Sequence, residues 1–166
     1  MFDLSVVDSK ARSMNLPPHL VRAIISVESS GDPLAIRHEP GYRWLWDVRA
    51  ARPYRGEHDR LPAPPGVSGP TELMQQQTSW GIMQVMGATA REMGFQGKFL
   101  SELCEFETGL HYGCLYLDRL RRRFWSRHGW EGVAAAFNAG SPVRNADGRW
   151  SNQTYVNRVT NAGGFE

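Results

Sequence analysis

Helical spacing of apolar residues is the feature that most constrains the fold of this chain. Leu20, Val21, Ile24, Ile25 and Val27 recur at the spacing of one helix face, and this pattern ends at Gly31. The same spacing predicts further helical stretches at residues 6–14, 71–77, 82–93, 105–125, 130–139 and 151–162. No stretch shows the alternation of apolar and polar residues that a half-buried strand of any length would show. The sequence therefore predicts a mainly α-helical fold.

Length and composition predict one globular domain over residues 1–166. The 166 residues are enough to bury a core. A composition of 41% hydrophobic and 22% charged residues excludes disordered and fibrous proteins. A net charge of +2 is too weak to indicate nucleic acid, so we expect no nucleic-acid partner. Arginines do cluster at residues 49–60 and 119–127, which would suit an anionic polymer or form an ordinary solvated helix face.

Hydropathy predicts a protein without stable membrane insertion. No stretch reaches the roughly 18 consecutive apolar residues of a transmembrane helix. The first 16 residues also lack the basic start, apolar run and cleavage site of a secretory signal. We therefore expect synthesis in the cytoplasm without a signal peptide, with delivery to any external target by another factor.

Residues 32–70 interrupt the helical pattern with many prolines and glycines. Segments of this length without periodicity are usually functional loops or disordered linkers. This one carries Tyr42, Trp44, Trp46 and Tyr54, which disordered linkers rarely do. We interpret it as an ordered flap with a short hairpin, and a loose loop is the alternative.

Four short motifs carry the chemical information. Each is weak alone, and their order and spacing make them specific: VESSG at 27–31, SWGIMQVM at 79–86, AAFNAG at 135–140 and YVNRV at 155–159. Together they resemble the lytic transglycosylase and goose-type lysozyme family, whose pattern is E-S after a helix, G-L-M-Q, A-Y-N-A-G and a Tyr in a terminal helix. The resemblance covers residues 16–159 and includes a G-x-x-Y-L piece at 113–117, and the chain looks like a phage endolysin-like member of the family.

The resemblance implies a lysozyme-like helical fold around a substrate cleft. It also implies cleavage of the β-1,4 bond between N-acetylmuramic acid and N-acetylglucosamine in peptidoglycan glycan strands. Glu28 matches the catalytic general acid and base, and Tyr155 matches the Tyr that hydrogen-bonds it. Both burial and the negative end of a helix favour the protonated form of a carboxyl group, which a general acid requires.

Five further residues match substrate-binding positions of the family: Ser79, Met83, Gln84, Phe137 and Asn138. Phe137 stands where the family usually has Tyr, so a hydroxyl is missing there. Each position also has a purely structural interpretation. Met83 and Phe137 would serve as core residues, Gln84 as a helix-surface amide, Ser79 as an N-cap and Asn138 as part of a C-cap.

The number of acids separates two reactions. Classical glycosidases use two carboxyl groups, whereas lytic transglycosylation needs one and yields 1,6-anhydro-muramic ends. Glu39 in the flap is our candidate for a second carboxylate, and an acid paired with a neighbouring Arg is the alternative. We favour anhydro formation and keep goose-type hydrolysis as the alternative.

Other classes fit the motifs less well. A non-catalytic glycan-binding or structural module would not need an intact Glu28. His38 and His58 suggest a metal, but no H-E-x-x-H motif or closely spaced cysteine pair accompanies them. We expect no metal, no cofactor, a monomer, and delivery through a holin-like pore or as part of a particle.

Overall fold

The computed structural model describes residues 3–165, so Met1, Phe2 and Glu166 of the predicted domain lie outside the described residues. Helices dominate this range, and the prediction of a mainly α-helical fold is confirmed. The helices are α1 (Leu4–Ser13), α2 (Pro18–Ser29), α3 (Gly69–Gln76), α4 (Gly87–Glu92), α5 (Phe106–Ala139) and α6 (Gln153–Asn161). No helix within residues 3–165 combines the length and the apolar character needed to cross a membrane.

The chain groups into two compact units. The terminal unit consists of the described residues up to Gly31 and from Gly113 onward, and the central unit is Asp32–Tyr112. The predicted flap, residues 32–70, belongs to the central unit. The single-domain organisation stays a prediction.

Helix α2 carries the first motif in the terminal unit. It begins at Pro18, whose fixed φ suits the first helical position, and it ends where Ser30 adopts left-handed backbone with φ 55°. The apolar face of α2 is buried and packs against α1 and α6. Glu28 therefore lies in the last turn of a helix that packs against two other helices.

Helix α5 contains one non-helical residue. Gly129 has φ 62° and ψ −169°, which interrupts the helix between the two stretches predicted at 105–125 and 130–139. Positive φ of this kind favours glycine, so the break coincides with the one residue type that adopts it without strain. Beyond the break, residues 133–136 are buried.

Short strands in the central unit depart from the sequence prediction. An antiparallel sheet has the order β1 (Ile36–His38), β4 (Thr78–Trp80), β5 (Val85–Met86), and β2 (Trp46–Asp47) forms a hairpin with β3 (Arg52–Pro53). The hairpin that we expected in the flap is thus present, whereas the three-stranded sheet was missed. Strands of two or three residues are too short to show a period-two pattern.

The helix predicted at residues 82–93 is wrong in its first half. Residues 81–84 form a turn closed by Gln84 N–H donating to the carbonyl of Gly81 at 3.0 Å, and a helix begins only at Gly87. Gly81 has φ 71°, and a Cβ there would lie 2.1 Å from the carbonyl oxygen of Leu103. Gln84 has φ 47°. Two left-handed residues in one turn are incompatible with a continuous helix.

Three consecutive glutamines at the end of α3, Gln75–Gln77, hydrogen-bond to other segments of the central unit. The Gln76 side chain accepts a hydrogen bond from Trp46 N–H at 2.8 Å and donates to the Trp46 carbonyl at 2.9 Å. Gln77 donates to the carbonyls of Pro40 and Tyr42 at 3.0 and 2.9 Å. Gln75 accepts from Leu100 N–H at 2.7 Å. Side-chain amides thereby satisfy backbone groups of the flap and of Leu100.

Candidate active site

Glu28 and Tyr155 meet within the terminal unit. The Tyr155 hydroxyl donates a hydrogen bond of 2.8 Å to Glu28 Oε1, although the two residues are 127 positions apart in the sequence. Glu28 is half-buried and Tyr155 is buried. Ile24 and Ile25 precede Glu28 by one helical turn and are buried, so apolar side chains flank the carboxyl group on the helix.

Burial and the carboxylate partner together keep Tyr155 protonated. Desolvation is the largest effect that raises the pKa of Tyr155 well above its ordinary value, and the charge of Glu28 and its hydrogen bond add to it. Arg158 acts in the opposite direction. Because the phenol stays neutral, it acts toward Glu28 as a hydrogen-bond donor and holds the carboxyl group in one orientation.

Arg158 provides a second link between α6 and the last turn of α2. It lies one turn after Tyr155 and donates a hydrogen bond of 2.7 Å to the carbonyl of Val27. The last carbonyls of a helix lack intrahelical donors and carry partial negative charge, so a guanidinium there stabilises the turn. Arg158 belongs to the YVNRV motif, and we predicted no role for it from the sequence. Arg158 follows Tyr155 by three positions, a spacing that places both side chains on one helix face. This spacing is the signal that could have predicted its contact with α2.

Phe137 and Asn138 lie at the end of α5 in the same unit. Phe137 is buried, and its ring centroid lies 5.3 Å from that of Tyr116, the Tyr of the G-x-x-Y-L piece. Asn138 is exposed and accepts a hydrogen bond of 2.9 Å from the side chain of Asn152. Substrate contact by these two residues stays a prediction.

Ser79 and Gln84 come together in the central unit. The Ser79 hydroxyl donates to Gln84 Oε1 at 3.0 Å, and the Gln84 amide nitrogen donates to the carbonyls of Ala35 and Gly81 at 2.8 and 2.9 Å. Ser79 lies in β4 rather than at a helix start, so its N-cap interpretation is wrong. Gln84 is not a helix-surface amide, because it closes a turn. Both hydrogens of the Gln84 side-chain amide therefore donate to backbone carbonyls of the protein.

Met83 and Glu39 also belong to the central unit. Met83 is completely buried, as its core interpretation predicted, and its contact with a sugar stays a prediction. Glu39 forms an ion pair of 2.5 Å with Arg37, and its side chain is 37% exposed. This is the pairing that the alternative interpretation of Glu39 predicted. Among residues 3–165 no group of three or more His, Cys, Asp or Glu side chains is arranged to hold a metal ion.

Comparison with models of protein families identifies the family of this chain. The family model described as the transglycosylase SLT domain matches residues 5–159, which is nearly the whole sequence. The chain belongs to the transglycosylase SLT family. The SLT family comprises peptidoglycan lytic transglycosylases, so this SLT protein is an enzyme whose substrate is peptidoglycan and which acts on the cell wall. No curated protein matches the chain.

Removing the hydroxyl of Tyr155 tests its link to Glu28 in the SLT enzyme. Tyr155→Phe keeps the buried ring and deletes a hydrogen bond to a charged group, which contributes about 1.5–3 kcal/mol. We expect kcat on purified peptidoglycan to fall by about 10- to 100-fold, with KM nearly unchanged, as measured by release of soluble fragments. The matched control is Tyr54→Phe, which removes an exposed hydroxyl that donates to the carbonyl of Glu57. Equal rates for both variants would show that the hydroxyl of Tyr155 is not needed.

Proposed function

We propose that this enzyme cleaves the bond between N-acetylmuramic acid and N-acetylglucosamine by lytic transglycosylation, with Glu28 as general acid and then general base. The observation that supports the proposal best is the hydrogen bond from Tyr155 to Glu28, which joins two of the four sequence motifs. A carboxyl group held in one orientation in a half-buried helix end is suited to directed proton transfer.

The proposed reaction uses one carboxyl group twice. Glu28 donates its proton to the bridging oxygen as the glycosidic bond breaks, and the N-acetyl group of the muramic residue assists at the anomeric carbon. The carboxylate of Glu28 then takes the proton of the C6 hydroxyl, whose oxygen closes on the anomeric carbon. The product is a 1,6-anhydro-muramic end, and Glu28 is again protonated.

A second carboxylate has little support. Glu39 is the candidate from the sequence, but it is engaged with Arg37 and is more than one-third exposed. Its oxygen Oε1 is occupied by the guanidinium of Arg37 and is not free to position a water molecule. The pairing of Glu39 therefore favours transglycosylation over a lysozyme-type reaction.

Product analysis in heavy-oxygen water tests the proposal. Purified peptidoglycan is digested by the wild type in H₂¹⁸O, and the released fragments are analysed by mass spectrometry. We expect anhydro ends that contain no ¹⁸O, since no water enters the reaction. Reducing ends labelled with ¹⁸O would make the enzyme a hydrolase, with Glu39→Gln as the next variant. Absence of any released fragment would favour a non-catalytic module.

The substrate-binding positions are part of the same proposal. Ser79, Met83, Gln84, Phe137 and Asn138 match the family pattern, and we propose that each of them contacts the glycan strand. The endolysin-like role, delivery through a holin-like pore or as part of a particle, and the monomeric state stay predictions from the sequence. Light scattering of the purified protein measures the last of these directly.

A further inference from the structure

Asn152 links the end of α5 to the start of α6 in the terminal unit. It stands at the position where a side chain usually caps the helix that follows, yet its side chain makes no capping hydrogen bond to α6. Its amide nitrogen instead donates to the Ala135 carbonyl at 3.0 Å and to Asn138 Oδ1 at 2.9 Å. The side chain of Asn152 therefore contacts Asn138, a residue that we propose to contact the glycan strand.

The neighbours of Asn152 hold it in place. Ala135, Trp150 and Val156 are buried together in one core cluster, and Asn152 lies in the segment between the last two. Its backbone carbonyl accepts hydrogen bonds from the N–H groups of Tyr155 and Val156 at 2.9 and 3.3 Å. The same residue thus begins the helix that carries Tyr155 and contacts the end of α5.

The Ala135 carbonyl decides which way the Asn152 amide faces. A carbonyl oxygen can only accept a hydrogen bond, so the side-chain atom 3.0 Å from it must be the amide nitrogen. Exchanging the nitrogen and the oxygen of Asn152 would bring two acceptors together. It would also turn the nitrogen to the buried place of Oδ1, where no hydrogen-bond partner lies among residues 3–165. Both effects fix the nitrogen of Asn152 toward α5.

The orientation of Asn152 in turn decides the orientation of Asn138. The atom of Asn138 that faces the Asn152 nitrogen must be an acceptor, which makes it Oδ1. The nitrogen of Asn138 then points away from Asn152, and within residues 3–165 it donates no hydrogen bond. Because Asn138 is exposed, this amide offers two N–H hydrogens to a ligand while its oxygen is engaged within the protein.

We propose that Asn152 is a positioning residue that fixes the Asn138 amide with its nitrogen toward the ligand, so that Asn138 selects an acceptor oxygen. This inference rests on the proposed function, which supplies the glycan strand. The acceptor that matches is the carbonyl oxygen of an N-acetyl group, because it cannot donate. Sugar hydroxyls donate as well as accept, so they would bind either orientation of the amide. The pair of asparagines thus favours N-acetylated sugars over de-N-acetylated ones.

A double-mutant cycle tests whether Asn152 acts through Asn138. All proteins carry Glu28→Gln, and calorimetry measures the Kd for soluble glycan strands released from sacculi by an amidase. We expect Asn152→Ser to raise Kd about 2- to 10-fold, since serine still suits the start of a helix but lacks the amide that orients Asn138. In an Asn138→Ala background the same change should have no further effect. The matched control is Asn161→Ser, at an exposed asparagine of α6.

Reversing the polarity of Asn138 tests the acceptor itself. The glycan strands are compared with the same strands after chemical removal of their acetyl groups, which replaces the acceptor by an ammonium donor. We expect the parent protein to bind the de-N-acetylated strands at least about threefold more weakly. Asn138→Asp presents an oxygen in place of the nitrogen and should reverse this preference. Asn161→Asp, which adds the same charge at the end of α6, should leave the preference unchanged.

Several results would overturn the inference. Equal Kd values for the parent and Asn152→Ser, when both melt alike by circular dichroism, would remove the positioning role. A loss of affinity that persists undiminished in the Asn138→Ala background would show that Asn152 acts elsewhere. An unchanged preference in Asn138→Asp would exclude the N-acetyl carbonyl as the ligand of Asn138. If Asn152→Ser does not fold, the comparison at the exposed Asn138 decides.

Cleavage separates this inference from the proposed function. If the wild type releases no fragments and the parent binds no glycan strand, the proposed function and this inference fail together. If the wild type forms anhydro ends while Asn152→Ser binds like the parent, the inference fails alone.

Discussion

Glu28→Gln is expected to lower the turnover of peptidoglycan by about 10²- to 10⁴-fold, the range that general acid–base catalysis contributes. Glutamine has the same shape and still offers an oxygen to the Tyr155 hydroxyl, so the hydrogen bond of 2.8 Å can be kept. What the amide cannot do is donate a proton to the bridging oxygen. The loss should therefore appear in kcat, while KM and the melting temperature change little.

The control for this variant is a matched amide elsewhere in the terminal unit. Glu131→Gln alters an exposed glutamate on α5 and should leave kcat within about twofold of the wild type. Rates are measured as muropeptide release from purified sacculi at several substrate concentrations. A Glu28→Gln enzyme with wild-type kcat would mean that another group transfers the proton.

The largest stability effect is expected at the buried ion pair of Glu72 and Arg91. Both side chains are almost fully buried, and two hydrogen bonds of 2.8 and 2.9 Å join them. Arg91 also donates to the carbonyls of Phe95 and Gly97 at 3.2 and 2.6 Å. Arg91→Met would leave the Glu72 carboxylate buried, with Gln76 as its one remaining side-chain donor among residues 3–165. Breaking one partner of such a pair costs about 3–5 kcal/mol.

Urea unfolding of three variants tests this expectation. Arg91→Met should lower the free energy of unfolding by about 3–5 kcal/mol, and adding Glu72→Leu should recover much of the loss, because apolar replacements often match a buried pair. Arg22→Met breaks the partly exposed pair with Asp8 and should cost about 1 kcal/mol or less. Equal losses in the free energy of unfolding at the two pairs would show that burial does not decide the cost of breaking an ion pair.

Long helices were predictable from this sequence because their apolar spacing extends over several turns. The break at Gly129 coincides with the gap between two predicted helices, and Glu28 lies in the last turn of its helix as the end at Gly31 indicated. Segments whose structure depends on distant partners were not predictable. Strand β1 exists because Ile36 pairs with Trp80, and nothing near Ile36 in the sequence signals that pairing.

The candidate site shows the same limit. Motif order allowed Glu28 and Tyr155 to be paired from the sequence, and the contact is present. The interactions of Gln84 could not be predicted, because residues 81–84 resemble a helix start in sequence. In the structure they form a turn, which gives Gln84 its positive φ and its hydrogen bonds to Ala35 and Gly81. The run Gln75–Gln77 looks like ordinary polar surface in sequence, yet all three residues are buried.

The link between Glu28 and Tyr155 also bears on synthesis of the enzyme. During translation the helix that carries Glu28 leaves the ribosome 127 residues before its hydrogen-bond partner. Helix α6, which supplies both Tyr155 and the Arg158 contact to Val27, is the last helix in the described residues. A nascent or truncated chain that ends before α6 has the proposed catalytic acid, Glu28, without the Tyr155 hydroxyl that donates to it. Under the proposed mechanism, the acid is assembled only once α6 has been made and has packed on α2.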